Sequence, residues 1–306
     1  MTVVHILMAT LNGAAYIHEQ LNSLLAQTHG DWVLHASDDG SDDTTRALLA
    51  GFSHTHPGRL AHMAHGPGRG HAANFLSLLA TTPSGATAAF CDQDDIWLPQ
   101  KLANAVAALA VCDAPTLYCT ARWVYHTGTP PTVIDGFPHC RPSFANALIQ
   151  NIASGNTVVL NPAAVQLLQQ ALGLIRQGDV LHHDWLCYQL ITGAGGRVIY
   201  DPTPSLYYRQ HGQNLIGEGT SPKARLKRAQ SVLTKRHRQN TTQQAAALWG
   251  CRSILTPANQ KLLSTFRTAR AKPLAPRILG LAQTGIHRQS PTGTASMWAA
   301  AALRRL

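Results

Sequence analysis

The residues best suited to chemistry come in short polar runs. Asp92-Gln93-Asp94-Asp95 puts three carboxylates within four residues, which repel one another unless a cation or an array of donors neutralises them. Hard oxygen donors suit Mg or Mn, ions that meet substrate phosphates through one or two carboxylates and keep some water. Asp92 and Asp94 therefore read together as metal or nucleotide ligands, and Asp95 as the cap of the helix entered through Leu98-Pro99. Asp38-Asp39-Gly40-Ser41 has two readings. It is a strand-to-helix turn in which Ser41 and Asp43 cap the next helix, or it offers a carboxylate to a pyrimidine N–H or ribose hydroxyls. Asp184, in Leu181-His182-His183-Asp184-Trp185, is either an acid stabilised by a helix dipole or a general base beside an aromatic ring. Arg209-Gln210-His211-Gly212-Gln213-Asn214 is either a solvated loop or a run that meets a diphosphate by charge and a metal through His211. Adjacent His182 and His183 are poor partners for one ion. The other histidines, including His54, His56, His62 and His65, read as structural or solvated.

These runs need a scaffold that brings them together. Short apolar stretches alternate with helical patterns over the first two-thirds of the chain, which predicts an α/β fold built on crossover units. Strands are expected at Val3–Met8, Trp32–Ser37, Arg59–Ala64, Thr87–Cys91, Leu117–Thr120, Thr157–Leu160, Arg197–Tyr200 and Ser205–Gln210. Ile17, Leu21, Leu24 and Leu25 have the spacing of a helix face. Helices are also expected at Thr44–Phe52, Asn74–Ala80 and Asp184–Ile191, with others opened by Pro99 and Pro162. Thr10 and Asn12 follow the first strand, Asp38–Ser41 the second and Asp92–Asp95 the fourth. In an open α/β sheet, ligands bind beyond the carboxyl ends of the strands, so these clusters are expected on one rim.

Charge divides the chain. Residues 1–218 carry all 15 acidic residues and 9 of the 25 Lys and Arg, whereas residues 219–306 carry the other 16 and no acid. This split sets a 1–218 domain apart from a basic helical region, 219–306, with the boundary near 217–222. The polybasic stretches Lys223–Arg228 and Lys235–Arg238, with Trp249, Phe266 and Trp298 beyond, suit an anionic membrane surface. The bland alternative is a solvated basic face. Aromatics are sparse and no DNA- or RNA-binding motif occurs, so no nucleic-acid partner is expected. The six cysteines include no C-x-x-C pair, which disfavours a zinc ribbon or thioredoxin-type site and fits a reducing cytoplasm. Neither a signal peptide nor a spanning segment is legible, so a soluble or peripheral protein is expected, cytoplasmic or on the inner face of the cytoplasmic membrane.

Met8-Ala9-Thr10-Leu11-Asn12-Gly13, Asp38-Asp39-Gly40-Ser41-Asp42-Asp43-Thr44-Thr45, Cys91-Asp92-Gln93-Asp94-Asp95-Ile96-Trp97-Leu98-Pro99 and His183-Asp184-Trp185 resemble, in order and spacing, glycosyltransferase family 2 of the GT-A fold. Tyr208-Arg209-Gln210-His211-Gly212-Gln213-Asn214 and Gly285-Ile286-His287-Arg288-Gln289-Ser290 are similar to segments of its bacterial rhamnosyltransferase-type branch. The resemblance implies a GT-A (Rossmann-like), mainly parallel mixed sheet flanked by helices. It also implies an inverting transfer from a nucleotide-diphosphate sugar, dTDP-L-rhamnose by analogy, to an oligosaccharide or lipid-linked glycan, as in lipopolysaccharide assembly. Carried over, Asp184 is the catalytic base, Asp94 and His211 meet a Mg or Mn ion, and Asp92 lies nearer ribose or metal water. Asp39 contacts the base, Thr10 and Asn12 lie beside it, Asn74 reaches the donor base and Arg209 the diphosphate. Leu11 and Leu186 replace aromatics common in the family, which bears on pocket shape. The rival activities are a sugar-nucleotide nucleotidyltransferase, which would want a glycine-rich phosphate loop after the first strand, and a carbohydrate-binding module, which would need no acid cluster.

Overall fold

In the computed structural model, residues 2–125, 130–134, 140–175, 179–211 and 235–306 are described. The expected α/β architecture is present. A seven-stranded sheet has the order β10-β6-β9-β4-β1-β2-β3. It comprises β1 (Val4–Thr10), β2 (Trp32–Asp38), β3 (Leu60–His65), β4 (Thr87–Asp92), β6 (Thr116–Thr120), β9 (Val159–Leu160) and β10 (Arg197–Asp201). Strand β9 runs antiparallel to its neighbours β4 and β6, and the other pairings are parallel.

Side chains on a strand alternate between faces, and β1 feeds two cores. Val4, Ile6 and Met8 join the apolar cluster under α1 (Ile17–Leu25), α2 (Thr45–Thr55) and α4 (Lys101–Leu109). Leu7 faces the other cluster, under α3 (His71–Thr81), α5 (Phe144–Ala147), α6 (Pro162–Leu172) and α7 (His183–Gly193). That second cluster continues without a break into the C-terminal helices α8 (Lys235–Gly250), α9 (Pro257–Ala271), α10 (Leu274–Ala282) and α11 (Pro291–Ala302), through Leu248, Leu263, Phe266, Leu281 and Met297. The basic region therefore shares a core with the sheet. The expected boundary near 217–222 and the Lys223–Arg228 stretch lie outside the described residues.

Some expectations need correction. Thr157–Leu160 forms only the two-residue β9, because Gly155–Thr157 is a 3-10 turn. Pro99 does not open α4, which begins at Lys101. The start of α4 is held from a distance, where Leu102 N–H donates to Gln27 Oε1 at 3.1 Å. Asp95 is therefore no cap. A second sheet, in the order β5-β11-β7-β8, escaped the sequence reading apart from β11 (Leu206–Arg209). Its other strands, β5 (Ile96–Trp97), β7 (Arg122–Tyr125) and β8 (Thr132–Ile134), are too short to show a period. This small sheet carries the 209–211 segment over the acid cluster, since β11 pairs with β5 directly after Asp95.

Candidate active site

Parallel pairing sets Thr10 opposite Asp38 and Ala9 opposite Asp92, so the loops after β1, β2 and β4 leave the sheet at one rim. They are then tied together. Gln93 crosses from the β4 loop to the β1 loop, accepting from Leu11 N–H at 3.0 Å and donating to Leu11 carbonyl at 2.9 Å. A Cβ at Gly13 would lie 2.2 Å from Gln93 Oε1, so a larger residue there would displace Gln93 from this bridge. Asn12, in the left-handed region at φ 50°, accepts from Asp42 N–H at 2.9 Å, and its own N–H donates to Ser41 Oγ at 2.8 Å. Asp43 accepts from Ala14 N–H at 3.0 Å and from Thr45 N–H at 2.9 Å. Ser41 and Asp43 thus bridge two loops, whereas Thr44 is the N-cap of α2 and makes no side-chain cap bond.

Adjacent Asp38 and Asp39 have different tasks. Asp38 is buried and accepts from Thr10 Oγ1 at 2.9 Å and Ser41 N–H at 3.0 Å. Burial works to raise its pKa, but the Ser41 and Thr10 donors outweigh burial and leave it below the usual carboxylate value. Asp39 reaches the β3–α3 loop, where Gly68 and Gly70 N–H donate to its carboxylate at 2.6 and 2.9 Å. Thr10 and Asn74 are buried, with Asn74 Nδ2 donating to Ser37 carbonyl at 2.9 Å. Both therefore lie beneath the rim, where the sequence suggested side chains open to a ligand.

The acid cluster is crowded. Burial raises Asp92 well above the usual carboxylate range, and the charges of Asp95, Asp94 and Asp184 add to it. Asp95 is fully buried and accepts from Asn156 Nδ2 at 2.7 Å. Burial and the neighbouring Asp94 push its pKa up to about 7. Beneath it, the buried Lys101 ammonium donates to Asn156 carbonyl at 2.8 Å and lies 4.5 Å from the Trp97 ring centre. Burial lowers Lys101 to about 8, although Cys91, Asp95 and Asp92 pull the other way. Asp94 reaches outward instead, and its Oδ2 lies 2.8 Å from His211 Nε2.

Asp184 comes from a different element, the first turn of α7. Gly155 N–H donates to its Oδ2 at 3.1 Å and Trp185 N–H to its Oδ1 at 2.7 Å. The preceding His183 is stacked on Phe75 with ring centres 4.2 Å apart and meets Phe90 edge-on at 4.8 Å. Burial lowers its pKa to about 3, so it stays neutral and is unsuited to proton exchange at neutral pH.

Arg209, expected at the diphosphate, is buried and pairs with Glu19 at 2.7 Å, while its Nε donates to Asp94 carbonyl at 3.1 Å. Gly212, Gln213 and Asn214 lie outside the described residues. Asp94 and His211 supply a carboxylate oxygen and an imidazole nitrogen facing each other, a donor pair that fits Mg or Mn if diphosphate and water complete the shell. No cluster of three or more His, Cys, Asp or Glu suited to a metal occurs among the described residues. The sequence reading missed Gln93, Asn156, Gly155, Lys101, Tyr16 and Glu19. Only Gln93 carried a signal, its place inside the acidic motif.

Comparison with known proteins bears on the family and the fold. Residues 5–154 match the model of glycosyl transferase family 2. A dTDP-rhamnosyl transferase, RfbG of Shigella flexneri, is 28% identical over 250 residues, covering 79% of this chain and 84% of the relative. The Escherichia coli UDP-Glc:alpha-D-GlcNAc-diphosphoundecaprenol beta-1,3-glucosyltransferase WfgD is 28% identical over 160 residues, 52% of this chain and 60% of that protein. Among solved structures, the mannosyltransferase PcManGT of Pyrobaculum calidifontis, in complex with GDP-Man and Mn2+, has TM-score 0.54 at 19% identity, covering 99% of this chain and 86% of that one. Residues 1–349 of S. aureus TarS, in complex with UDP-GlcNAc, have TM-score 0.53 at 14% identity, covering 94% and 93%. Both neighbours support the GT-A fold.

Proposed function

The chain is a member of glycosyltransferase family 2 through residues 5–154, and on that premise we propose that it transfers a sugar, with inversion, from a nucleotide-diphosphate donor to a glycan hydroxyl. The observation that carries this reading is the meeting of Asp184, from α7, with the acid cluster that follows β4, where Gly155 N–H donates to Asp184 at 3.1 Å and the adjacent Asn156 Nδ2 donates to Asp95 at 2.7 Å. Asp184 takes the proton of the acceptor hydroxyl as that oxygen attacks the anomeric carbon. Gly155 and Trp185 N–H groups hold its carboxylate in one orientation. Asp94 and His211 hold a divalent cation, which when bound supplies Lewis-acid stabilisation for charge on the departing diphosphate. Asp39 and Asn12 shape the nucleotide end, and Asp92 lies between that end and the base.

L-Rhamnose from dTDP-L-rhamnose is the donor we favour, and a bacterial cell-surface glycan the acceptor. The resemblance to the dTDP-rhamnosyl transferase over most of both chains supports this choice. We place the enzyme at the inner face of the cytoplasmic membrane. Helices α8–α11 carry no acid, and Leu274, Leu279 and Leu303 are exposed beside Lys272 and Arg304. No helix among the described residues is long and apolar enough to cross a membrane.

Nucleotide sugars screened for thermal stabilisation with and without Mn2+ test the reading. The unaltered protein is expected to respond to dTDP-L-rhamnose more with Mn2+ than without, and Asp94→Ala to lose that difference. A stronger response to a UDP-sugar would replace the donor. A response equal with and without metal would remove Asp94 from the ligand set.

A further inference from the structure

We infer that the first turn of α1 is a clamp that fixes the Asp94–His211 pair, with Tyr16 and Glu19 as positioning residues for the diphosphate end of the site. The inference rests on the metal reading of that pair. His211 lies two residues beyond the end of β11, outside any helix or strand, so its position depends on what grips it. The Tyr16 ring lies against the imidazole, with centres 4.6 Å apart and planes 20° from parallel. Asp94 Oδ2 meets the edge of the same ring, 2.8 Å from Nε2.

The same turn holds the preceding strand end. Glu19 Oε2 lies 2.7 Å from the Arg209 guanidinium, which also sits over the Tyr16 ring at 5.3 Å and the Tyr125 ring at 5.4 Å. Arg209 Nε donates to the carbonyl of Asp94 itself. Gln210 N–H donates to Tyr125 carbonyl at 2.9 Å. One helical turn thus reaches both His211 and, through Arg209, the backbone of its carboxylate partner.

A clamp must itself be rigid, and α1 is. Ile17, Leu21 and Leu24 are buried in the core. Trp97 N–H donates to Ser23 Oγ at 3.0 Å, which ties the helix to β5 directly after the acid cluster. The helix is therefore tied to the strand that follows Asp94, and Tyr16 and Glu19 extend that frame to residues 209–211. Groups that orient metal ligands without touching the ion commonly change metal affinity by about 10–100-fold when removed. The Glu19 side chain is 54% exposed, so solvent screens part of its effect, and the Tyr16 ring carries more of the clamp.

Mn2+ binding, read from the loss of the free-ion electron paramagnetic resonance signal in the presence of dTDP, tests this on the full chain. Tyr16→Leu is expected to weaken Mn2+ binding about 10-fold or more and Glu19→Gln by about 3–10-fold. Tyr16→Phe, which keeps the ring, should stay within about twofold of the parent. With activity, the loss should fall on the KM for donor and on the Mn2+ concentration needed for half-maximal rate. Glu19→Gln exchanges one atom on a half-exposed side chain, so it tests the clamp even where Tyr16→Leu does not fold. Parental Mn2+ affinity in folded Glu19→Gln, or Tyr16→Phe as weak as Tyr16→Leu, overturns the inference alone. Failure of the unaltered protein to bind Mn2+ overturns the metal reading and the clamp with it.

Discussion

At the carboxyl rim of the large sheet, buried charge is negative and held by donors. Asp38 takes hydroxyl and backbone donors, Asp95 an asparagine, and the single buried ammonium of Lys101 lies beneath. In helices α8–α11, charge is positive and the partners are carbonyls, hydroxyls and rings. Arg270 donates to Thr241 and Thr242 hydroxyls at 2.9 and 2.8 Å and lies 5.1 Å from the Phe266 ring centre. Arg252 and Arg267 both lie against Trp249, at 4.7 and 4.3 Å. The difference is in what surrounds each set. Tail arginines meet carbonyls, hydroxyls and rings, and the Nε atoms of Arg270 and Arg277 find no hydrogen-bond partner among the described residues. The rim carboxylates outnumber the cations near them, so Asp92 and Asp95 are driven toward protonation. A surplus of acid at one rim destabilises the fold and fits the cation proposed there, whereas the tail distributes its cations among neutral groups.

Asp184→Asn should have the largest effect if the rim is a reaction centre. The amide keeps the size of the carboxylate but cannot accept a proton, and its NH2 gives up one of the two bonds from Gly155 and Trp185 N–H. We expect kcat to fall by about 10²–10⁴-fold, with donor affinity close to that of the parent and a stability loss of about 1 kcal/mol. Loss of donor binding together with stability would make Asp184 a structural acid of α7 and remove the main contrast between the regions.

Paired substitutions of buried cations sharpen the contrast next. Lys101→Met removes a buried ammonium whose charge, with that of Arg122, opposes the rise of the Asp95 pKa, and should cost about 3 kcal/mol in urea unfolding, in the range for stripping a buried charge of its partner. Arg270→Met removes a cation that faces no acid and whose pKa burial already lowers to about 10. Lost hydrogen bonds and relieved desolvation oppose each other there, and the net change should stay within about 1 kcal/mol. Equal costs at the two positions would mean that the two regions hold buried charge by the same means.

What could be read from sequence follows from the range of each interaction. The rim was legible because a parallel sheet sends its strand ends one way, and Thr10, Asp38 and Asp92 each end a strand. Helix α6 announced itself through Pro162 in its first turn, whereas Pro257 and Pro291 open α9 and α11 without having been read as helix starts. The network beneath the rim was not legible. Gln93 meets Leu11 across 82 residues, Asn156 meets Asp95 across 61, and Gln27 holds the start of α4 across 75. No local preference records such pairs, which is why Asp95 resembled a helix cap. The small sheet was hidden for another reason, since strands of two to four residues have no alternation to detect. Gln289, in the segment similar to the rhamnosyltransferase branch, takes the same lesson to the tail. It is buried, and its backbone N–H donates to Gln150 Oε1 at 2.9 Å across 139 residues.

The smallest expected effect concerns the outer surface of the tail. Leu274 and Leu279 are 54% and 66% exposed on α10, and Leu303 is 62% exposed after α11. Single exposed leucines are ordinary, but here they stand beside Lys272 and Arg304 in a region without acid. Each basic residue near an anionic surface is worth about 1 kcal/mol, and that attraction fades once salt shortens the screening length to about 3 Å at 1 M. Flotation with phosphatidylglycerol vesicles should therefore carry the protein at low salt and lose most of it at high salt. Leu279→Glu should lower the bound fraction at every salt concentration, because it removes apolar contact and adds like charge to the lipid. Equal flotation with neutral phosphatidylcholine vesicles would show that charge does not choose the surface, and the excess of cations in α8–α11 would then serve the fold alone.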